Sequence, residues 1–297
     1  MKSYMKQIKK AGRITVVFLL SVLTVLTVLP ASAARQTMSF YFRKNGEHRQ
    51  PATDPDWWYF DKYDAFYVDR TLKDTENDPE APEKILYLTF DAGYENGNVA
   101  KIGDALRTHG AVGAFFVLPH IAKEEPELLR QLAADGNLIC NHSSTHRDLS
   151  QCADKESFKA ELRGLEEAVR EACGIETAPF YRPPEGRFCE KNLQWAQQLG
   201  YSTVFWSFAY CDWNNDEQPD PEEAFRNIMD HTHNGAILLL HPTSATNAAL
   251  MDRLLTEWEA QGYRFGTLYE LKERAEAERA RIEALPESNK RQKYPTK

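Results

Sequence analysis

From residue 85 onward, short apolar runs alternate regularly with longer stretches of helical pattern. The runs are rich in β-branched and aromatic residues, and they predict seven strands at 85–91, 111–118, 137–141, 180–183, 202–208, 236–241 and 265–268. The stretches between them predict helices at roughly 98–109, 121–134, 154–173, 190–199, 221–233, 247–260 and 269–284. Strict alternation implies parallel strands with right-handed crossovers. A closed barrel and a doubly wound sheet both fit, but the first strand lacks the glycine-rich phosphate loop of the latter, which favours the barrel.

Polar side chains stand at or just past the C-terminal ends of these predicted strands. They are Asp91, the pair His142 and His146, Arg182, Asp212 and His241. In a barrel of parallel strands those ends share one mouth, where catalytic groups from distant parts of the chain meet. Chance would scatter such residues over both ends of the barrel, so their common placement predicts a functional site.

Asp91 and Arg182 are predicted to work together. Asp91 lies too far before the next helix to cap it, and a strand-end carboxylate without a structural role is a candidate general base. Arg182 opens the segment RPPEG, in which two prolines stiffen the backbone. Its guanidinium either holds Asp91 ionised and oriented or forms a structural ion pair at the barrel rim.

Histidines supply two further candidate pairings. His142 and His146 are four residues apart, and on one helical turn both imidazoles would point the same way, as two adjacent metal ligands require. His231 and His233 are two apart, and we expect them to be surface residues near a helix C-terminus. His241 ends a predicted strand, and paired with a carboxylate such as Asp212 it can act as a general acid. Taken singly, a core histidine and a turn aspartate are the commoner interpretation of these last two residues.

The N-terminus has the composition of a secretory signal. Residues 1–33 contain five basic residues, then an apolar run, then Ala31-Ser32-Ala33, which predicts a signal peptide cleaved after Ala33. An uncleaved membrane anchor is the alternative. Removing five of the 36 Lys and Arg leaves 31 against 44 Asp and Glu, a net charge of −13 that argues against binding nucleic acid. We therefore expect an exported monomer with no stable membrane insertion.

Residues 34–84 are polar and broken by prolines, yet rich in aromatic residues, which argues against a disordered linker. They predict a strap whose rings pack on the outside of the main domain, with sugar stacking as the alternative. Residues 273–297 predict a charged C-terminal helix and tail. The five cysteines have no C-x-x-C spacing and are expected to be mostly buried free thiols, with one disulfide as the alternative.

The motifs TFDxG, HSxxH, RPPxG, DW and LLLH, in this order over about residues 85–272, resemble the polysaccharide deacetylase family, carbohydrate esterase family 4, with its NodB-homology domain. The segment YENG after Gly93, the VFWSF stretch and the lead-in at 42–51 are most similar to one branch. That branch is the peptidoglycan N-acetylmuramic acid deacetylases that form muramic δ-lactam during maturation of the spore cortex.

The resemblance implies a distorted (β/α)7 barrel and metal-dependent hydrolysis of a sugar N-acetyl group, with zinc as the expected metal. It implies catalytic roles for Asp91 as base, Arg182 as its orienting partner, and His241 with Asp212 as the acid. His142 and His146 would be the metal ligands. The backbone N–H of Glu185 would help form the oxyanion hole, and Trp213 and Leu239 would line the acetyl pocket.

Two positions depart from the family pattern. Ala92 stands where TFDDG has a second aspartate, a metal ligand, so the metal site is expected to be weaker, although the muramic branch tolerates an uncharged residue there. Glu185 stands where that branch often has a basic residue. We hypothesise that Arg187 supplies the positive charge that the lactyl carboxylate of muramic acid requires.

The sequence thus predicts an exported hydrolase that acts on peptidoglycan glycan strands in the cell envelope. An N-acetylglucosamine or chitin-type deacetylase is the alternative enzyme. A glycan-binding pseudoenzyme that lost its metal through Ala92 is the alternative from another class, and retention of Asp91, Arg182 and His241 argues against it.

Overall fold

The structure is a computed structural model that describes residues 37–46, 48–72 and 83–285, all within one compact unit, Thr37–Lys297. The signal-peptide prediction for residues 1–33 lies outside the described residues, as does the tail beyond 285. Among the residues that the structure describes, none of the helices combines the length and apolar character that crossing a membrane would need.

The described part of the chain contains ten strands and eight α-helices. The strands are β1 (Met38–Ser39), β2 (Ala65–Phe66), β3 (Ile85–Ala92), β4 (Gly113–Val117), β5 (Leu138–Asn141), β6 (Phe180–Tyr181), β7 (Arg187–Phe188), β8 (Ser202–Val204), β9 (Ala236–Leu240) and β10 (Arg264–Phe265). The helices are α1 (Val99–Thr108), α2 (Pro119–Glu124), α3 (Pro126–Ala134), α4 (Lys155–Cys173), α5 (Glu190–Gln198), α6 (Pro221–Asp230), α7 (Ala245–Ala260) and α8 (Leu268–Glu283).

From residue 85 onward, the strands and helices follow the order predicted from the sequence, but their boundaries differ from the prediction in two ways. The helix predicted over 121–134 is two helices, α2 and α3, because Pro126 cannot donate a backbone hydrogen bond and holds Glu125 outside helical geometry (φ −128°, ψ 53°). The strands predicted at 180–183, 202–208 and 265–268 are much shorter than expected. The other residues of these three predicted strands lie in loops, except Leu268, which begins α8.

The strands build one curled, parallel sheet. Its order is β9, β3, β4, β5, β6, β8, β2, and β10 pairs with the start of β3. On the β8 and β2 side the described residues are joined to β9 by two isolated bridges, Phe208 with Leu238 and Val68 with Ala236, rather than by a full ladder. The prediction of a distorted (β/α)7 barrel is therefore confirmed, and the doubly wound alternative is wrong.

Residues along each strand alternate between two apolar layers. Leu86, Leu88 and Phe90 of β3 pack outward with the helices, whereas Ile85 and Tyr87 belong to the inner cluster that fills the barrel. Because the side-chain period is two, the inner row of β3 continues to Thr89 and Asp91. The apolar filling thus gives way to polar groups at the C-terminal end of the barrel.

The aromatic N-terminal segment packs against the side of the barrel. Phe40, Trp57 and Phe60 are buried in one cluster with Phe188 and Phe205. The rings of Phe40 and Phe205 stack with centroids 4.5 Å apart. β2 is hydrogen-bonded to β8 as a parallel edge strand, so this segment extends the sheet itself.

Candidate functional site

Asp91 and Arg182 form a buried ion pair at the end of β3. The Nη1 of Arg182 donates to Asp91 Oδ1 at 2.7 Å, and its Nη2 donates to Thr89 Oγ1 at 2.7 Å. The guanidinium is fully buried, and it lies 4.2 Å from the centroid of the Phe116 ring. Burial by itself would raise the pKa of Asp91, but the charge of Arg182, followed by His142 and His241, lowers that pKa overall. Asp91 is therefore held ionised and in one orientation.

His142 and His146 lie close together, with ring centroids 4.9 Å apart, but they are not on a helix. They belong to the loop after β5, in which Ser143 and His146 have left-handed backbone (φ 71° and 54°). The expectation of a shared helical turn is wrong. Asn141 Oδ1 accepts from the N–H of Ser143, and Ser143 Oγ accepts from that of His146, so local side-chain bonds replace the helical ones.

The geometry of His142 suits a metal ligand. Its Nδ1 bonds to the carbonyl oxygen of Arg182 at 2.9 Å, and since a carbonyl only accepts, Nδ1 carries the proton and Nε2 keeps its lone pair. Burial lowers the pKa of His142 to about 4, so the ring is neutral at neutral pH. Nε2 lies 3.5 Å from Asp91 Oδ2, in the same mouth.

Asp212 and His241 form the second charged pair. Asp212 is buried, and its Oδ1 accepts from His241 Nδ1 at 2.7 Å while its Oδ2 accepts from the backbone N–H of His241 at 2.8 Å. Burial alone would lower the pKa of His241, but the hydrogen bond and charge of Asp212, aided by Asp91, raise it overall. Since Asp91 and His241 influence each other's titration, the two pairs lie in one mouth.

The remaining predicted residues lie around this centre. Trp213 is 58% exposed, with its ring centroid 6.1 Å from that of His241. Leu239 is buried on the strand that leads to His241 and is paired in register with Thr89. Glu185 and Arg187 pair with each other at 2.9 Å, and Glu185 has left-handed backbone (φ 55°).

Sequence reasoning missed several supports of the site. Asn247, in the first turn of α7, donates from Nδ2 to Asp212 Oδ2 at 2.6 Å, and no sequence signal distinguishes it. Thr89 could have been found, because it lies two positions before Asp91 on the same strand face. His233, expected at the surface, is buried and bonds Ser207 Oγ at 2.9 Å. His231 is half-buried at the end of α6.

The cysteines form no disulfide in the described part of the chain. All five cysteines are free, and four of them are buried, as expected.

Within residues 37–46, 48–72 and 83–285, no group of three or more His, Cys, Asp or Glu side chains is arranged to hold a metal ion. Ala92 is packed into the apolar cluster of the helical layer, so it adds no donor to the two imidazoles. The donor set fits a two-histidine site with positions left for water or substrate.

Comparisons with known proteins agree with this geometry. The sequence profile described as polysaccharide deacetylase matches residues 78–204. The chain is 36% identical over 238 residues to the peptidoglycan-N-acetylmuramic acid deacetylase PdaA of Bacillus subtilis (strain 168), which covers 80% of this chain and 86% of that protein. The solved structure of Bacillus subtilis PdaA, a family 4 carbohydrate esterase, matches with a TM-score of 0.72 at 35% identity, over 80% of this chain and 97% of that chain. A family 4 carbohydrate esterase from Bacillus anthracis matches with a TM-score of 0.63 at 29% identity, over 80% and 97% of the two chains. The chain belongs to the polysaccharide deacetylase family.

Proposed function

We propose that this protein is an exported, metal-dependent peptidoglycan deacetylase that hydrolyses the N-acetyl group of N-acetylmuramic acid in the cell envelope. The observation that carries the proposal is the pairing, in one barrel mouth, of an ionised carboxylate with a histidine whose pKa is raised. Amide hydrolysis needs both, a base for the water and an acid for the leaving nitrogen. The name of the relative PdaA supplies the substrate class.

Asp91 acts as the base in this proposal. Its Oδ1 is taken by Arg182, so Oδ2 is the atom that receives the proton of the attacking water. Arg182 cannot lose its own proton, and its bonds to Thr89 and Asp91 fix the carboxylate plane. Proton transfer by a positioned group of this kind contributes roughly 10²–10⁴ in rate.

His241 acts as the acid. Its Nδ1 proton is committed to Asp212, so Nε2 carries the proton that passes to the nitrogen as the carbon–nitrogen bond breaks and acetate leaves. The raised pKa of His241 keeps this proton in place to a higher pH than an ordinary histidine would. The backbone N–H of Glu185 would bind the developing oxyanion, and Trp213 and Leu239 would enclose the acetyl methyl.

His142 and His146 would hold the metal, and zinc suits a site of two adjacent imidazoles. Bound there, a divalent ion would polarise the acetyl carbonyl and would lower the pKa of a bound water toward ~7. Asp91 and Arg182 do not depend on the ion for their own geometry, since they hold each other directly.

An N-acetylglucosamine deacetylase is the second candidate, and one observation favours it. Arg187, proposed to receive the lactyl carboxylate of muramic acid, already pairs with Glu185 at 2.9 Å and faces Asp148 at 3.9 Å. Two carboxylates beside one guanidinium oppose binding of a third. The muramic proposal therefore requires the substrate to displace Glu185 from Arg187.

Mass spectrometry of glycan strands freed of peptide tests the proposal. After incubation with the purified protein, muramic acid should lose its acetyl group, and chelator or Asp91→Asn should abolish the loss. Deacetylated glucosamine beside intact muramic acid would establish the second candidate. No change on either sugar would support a glycan-binding pseudoenzyme.

A further inference from the structure

The loop that carries His146 is fastened to one buried carboxylate that lies outside the mouth. Glu161 of α4 is 7% exposed, and its Oε2 accepts from the backbone N–H of Thr145 at 3.2 Å. Thr145 Oγ1 donates to the same carboxylate at 3.0 Å, and Arg147 Nε lies 2.8 Å from its Oε1. These contacts hold the residues on both sides of His146, Thr145 through its backbone and side chain and Arg147 through its guanidinium.

The same segment of α4 holds the preceding residue. Ser144 Oγ donates to the backbone carbonyl of Glu161 at 2.6 Å. The approach is possible because residue 164 is glycine, and a Cβ there would collide with Ser144 Oγ. Loop residues 144, 145 and 147 are thus all tied to one turn of α4.

This attachment coincides with strained backbone. Ser143 and His146 are both left-handed without being glycine, a conformation that persists only where the surroundings determine it. Local bonds from Asn141 and Ser143 explain the entry to the loop. Beyond Ser143, residues 144, 145 and 147 all contact Glu161, Gly164 leaves room for Ser144, and Arg147 also reaches Cys152 Sγ.

We infer that Glu161 is a positioning residue that fixes the 143–147 loop and so places the His146 ring beside His142. Glu161 touches neither ring and acts through Thr145 and Arg147. The inference rests on the proposed function in one respect, that His142 and His146 bind the metal. Groups that orient metal ligands typically contribute roughly 10–100-fold to metal affinity.

Titration of the metal-free protein with Co²⁺, followed by its visible absorption, tests the inference without any substrate. Glu161→Gln presents an amide N–H₂ to Thr145 and Arg147, which are themselves donors, so one contact must break. We expect Co²⁺ affinity to fall roughly 10–100-fold with an altered spectrum. Glu167→Gln makes the same charge change at an exposed position of α4, and it should leave the Co²⁺ affinity and the absorption spectrum unchanged.

Hydrogen exchange of the metal-free protein gives a readout that needs no metal. The Thr145 amide should exchange faster in Glu161→Gln than in the wild type, while amides of β3 should be unaffected. Gly164→Ala is a second variant for the case in which Glu161→Gln does not fold. Alanine favours the helix intrinsically but displaces Ser144, so metal affinity should fall while α4 is not destabilised.

The outcomes separate this inference from the proposed function. If folded Glu161→Gln binds Co²⁺ with wild-type affinity, the positioning role is overturned, even if the enzyme is active. If Glu161→Gln does not fold, wild-type Co²⁺ affinity in Gly164→Ala overturns it. A wild type that binds Co²⁺ tightly, loses affinity in the variants and deacetylates no glycan overturns the proposed function alone. A wild type that binds no Co²⁺ overturns the ligand assignment and with it this inference.

Discussion

The two charged pairs in the barrel mouth are less exposed to solvent than the charged pair at its rim, and they have more hydrogen-bond partners. Asp91–Arg182 and Asp212–His241, here called the acid–base centre, are largely enclosed, with side chains 11% or less accessible except for His241 at 25%. Arg182 and Asp212 also have hydrogen bonds outside their pairs, to Thr89 and Asn247. The rim pair, Glu185–Arg187, is about half exposed, with side chains 59% and 46% accessible. Charges with little access to solvent interact more strongly than exposed pairs, which water and salt screen.

This difference separates two functions. The acid–base centre can shift pKa values because burial and fixed partners oppose each other there, as they do at Asp91 and His241. The rim pair can be rearranged by a ligand at little free-energy cost. We therefore expect substitutions in the centre to change the rate of catalysis, and substitutions at the rim to change which sugar is preferred.

The largest effect is expected from Arg182→Met, which leaves Asp91 buried without its cation. Burial would then raise the pKa of Asp91 without the opposing charge of Arg182, so a larger share of the base is protonated at any given pH. Loss of one partner of a buried pair costs about 3–5 kcal/mol of stability, and loss of the base about 10²–10⁴ in rate. Denaturant unfolding and kcat/KM measure the two effects.

Exposed Arg170→Met on α4 is the matched control and should change neither quantity. A stable, fully active Arg182→Met would show that Arg182 is only a structural residue of the barrel rim.

A smaller loss, about 10²-fold in kcat, is expected from Asp212→Asn. An acid works while it is protonated, so activity falls as pH rises through the pKa of His241. Asp212 raises that pKa against the lowering effect of burial. Without the carboxylate charge the pKa falls, and the alkaline limb of the pH–rate profile should move to lower pH.

Asp216→Asn, at an exposed position of the same loop, serves as the control for this pH shift. An alkaline limb that stays in place in Asp212→Asn would assign the acid to another group.

The acid–base centre was largely predictable from the sequence, because strand ends and period-two faces are local patterns. Asp91, Arg182 and His241 each follow an apolar run, and parallel strands bring such positions together. The conformation of the His142–His146 loop was not predictable. Its left-handed residues are held by side-chain bonds from Asn141 and Ser143, and Ser144 and Thr145 bond Glu161 of α4, whereas the spacing of four suggested a helix instead.

Residues that support the acid–base centre were also not predictable from local sequence patterns. Asn247 lies in a helix N-terminus, where its type is common, and only the folded chain brings it to Asp212. His233 was expected at the surface because it lies two residues from His231 near a helix C-terminus, but the chain turns inward after α6 and His233 bonds Ser207. Contacts between distant segments, rather than local pattern, decide these positions.

About a tenfold loss of kcat is expected from Asn247→Ala. Asp212 Oδ2 loses one donor but keeps the backbone N–H of His241, and a hydrogen bond to a charged group contributes about 1.5–3 kcal/mol. The pH–rate profile should keep its shape, since the carboxylate charge remains. Asn227→Ala on α6 is the control, and equal losses in both variants would indicate a general effect on folding.

The smallest effect is expected at the rim, from Glu185→Gln. Removing the carboxylate frees Arg187 for the lactyl group, so KM for muramic acid strands should fall, by about fivefold at most, since exposed pairs contribute about 0.2–1 kcal/mol. Arg187→Ala should raise the same KM, and neither variant should alter turnover of glucosamine strands, which carry no lactyl carboxylate. Equal shifts on both sugars would mean that the pair shapes the mouth without selecting the substrate. If KM falls in Glu185→Gln and rises in Arg187→Ala, and only on muramic acid strands, the weak, exposed pair determines specificity because a substrate carboxylate can displace it.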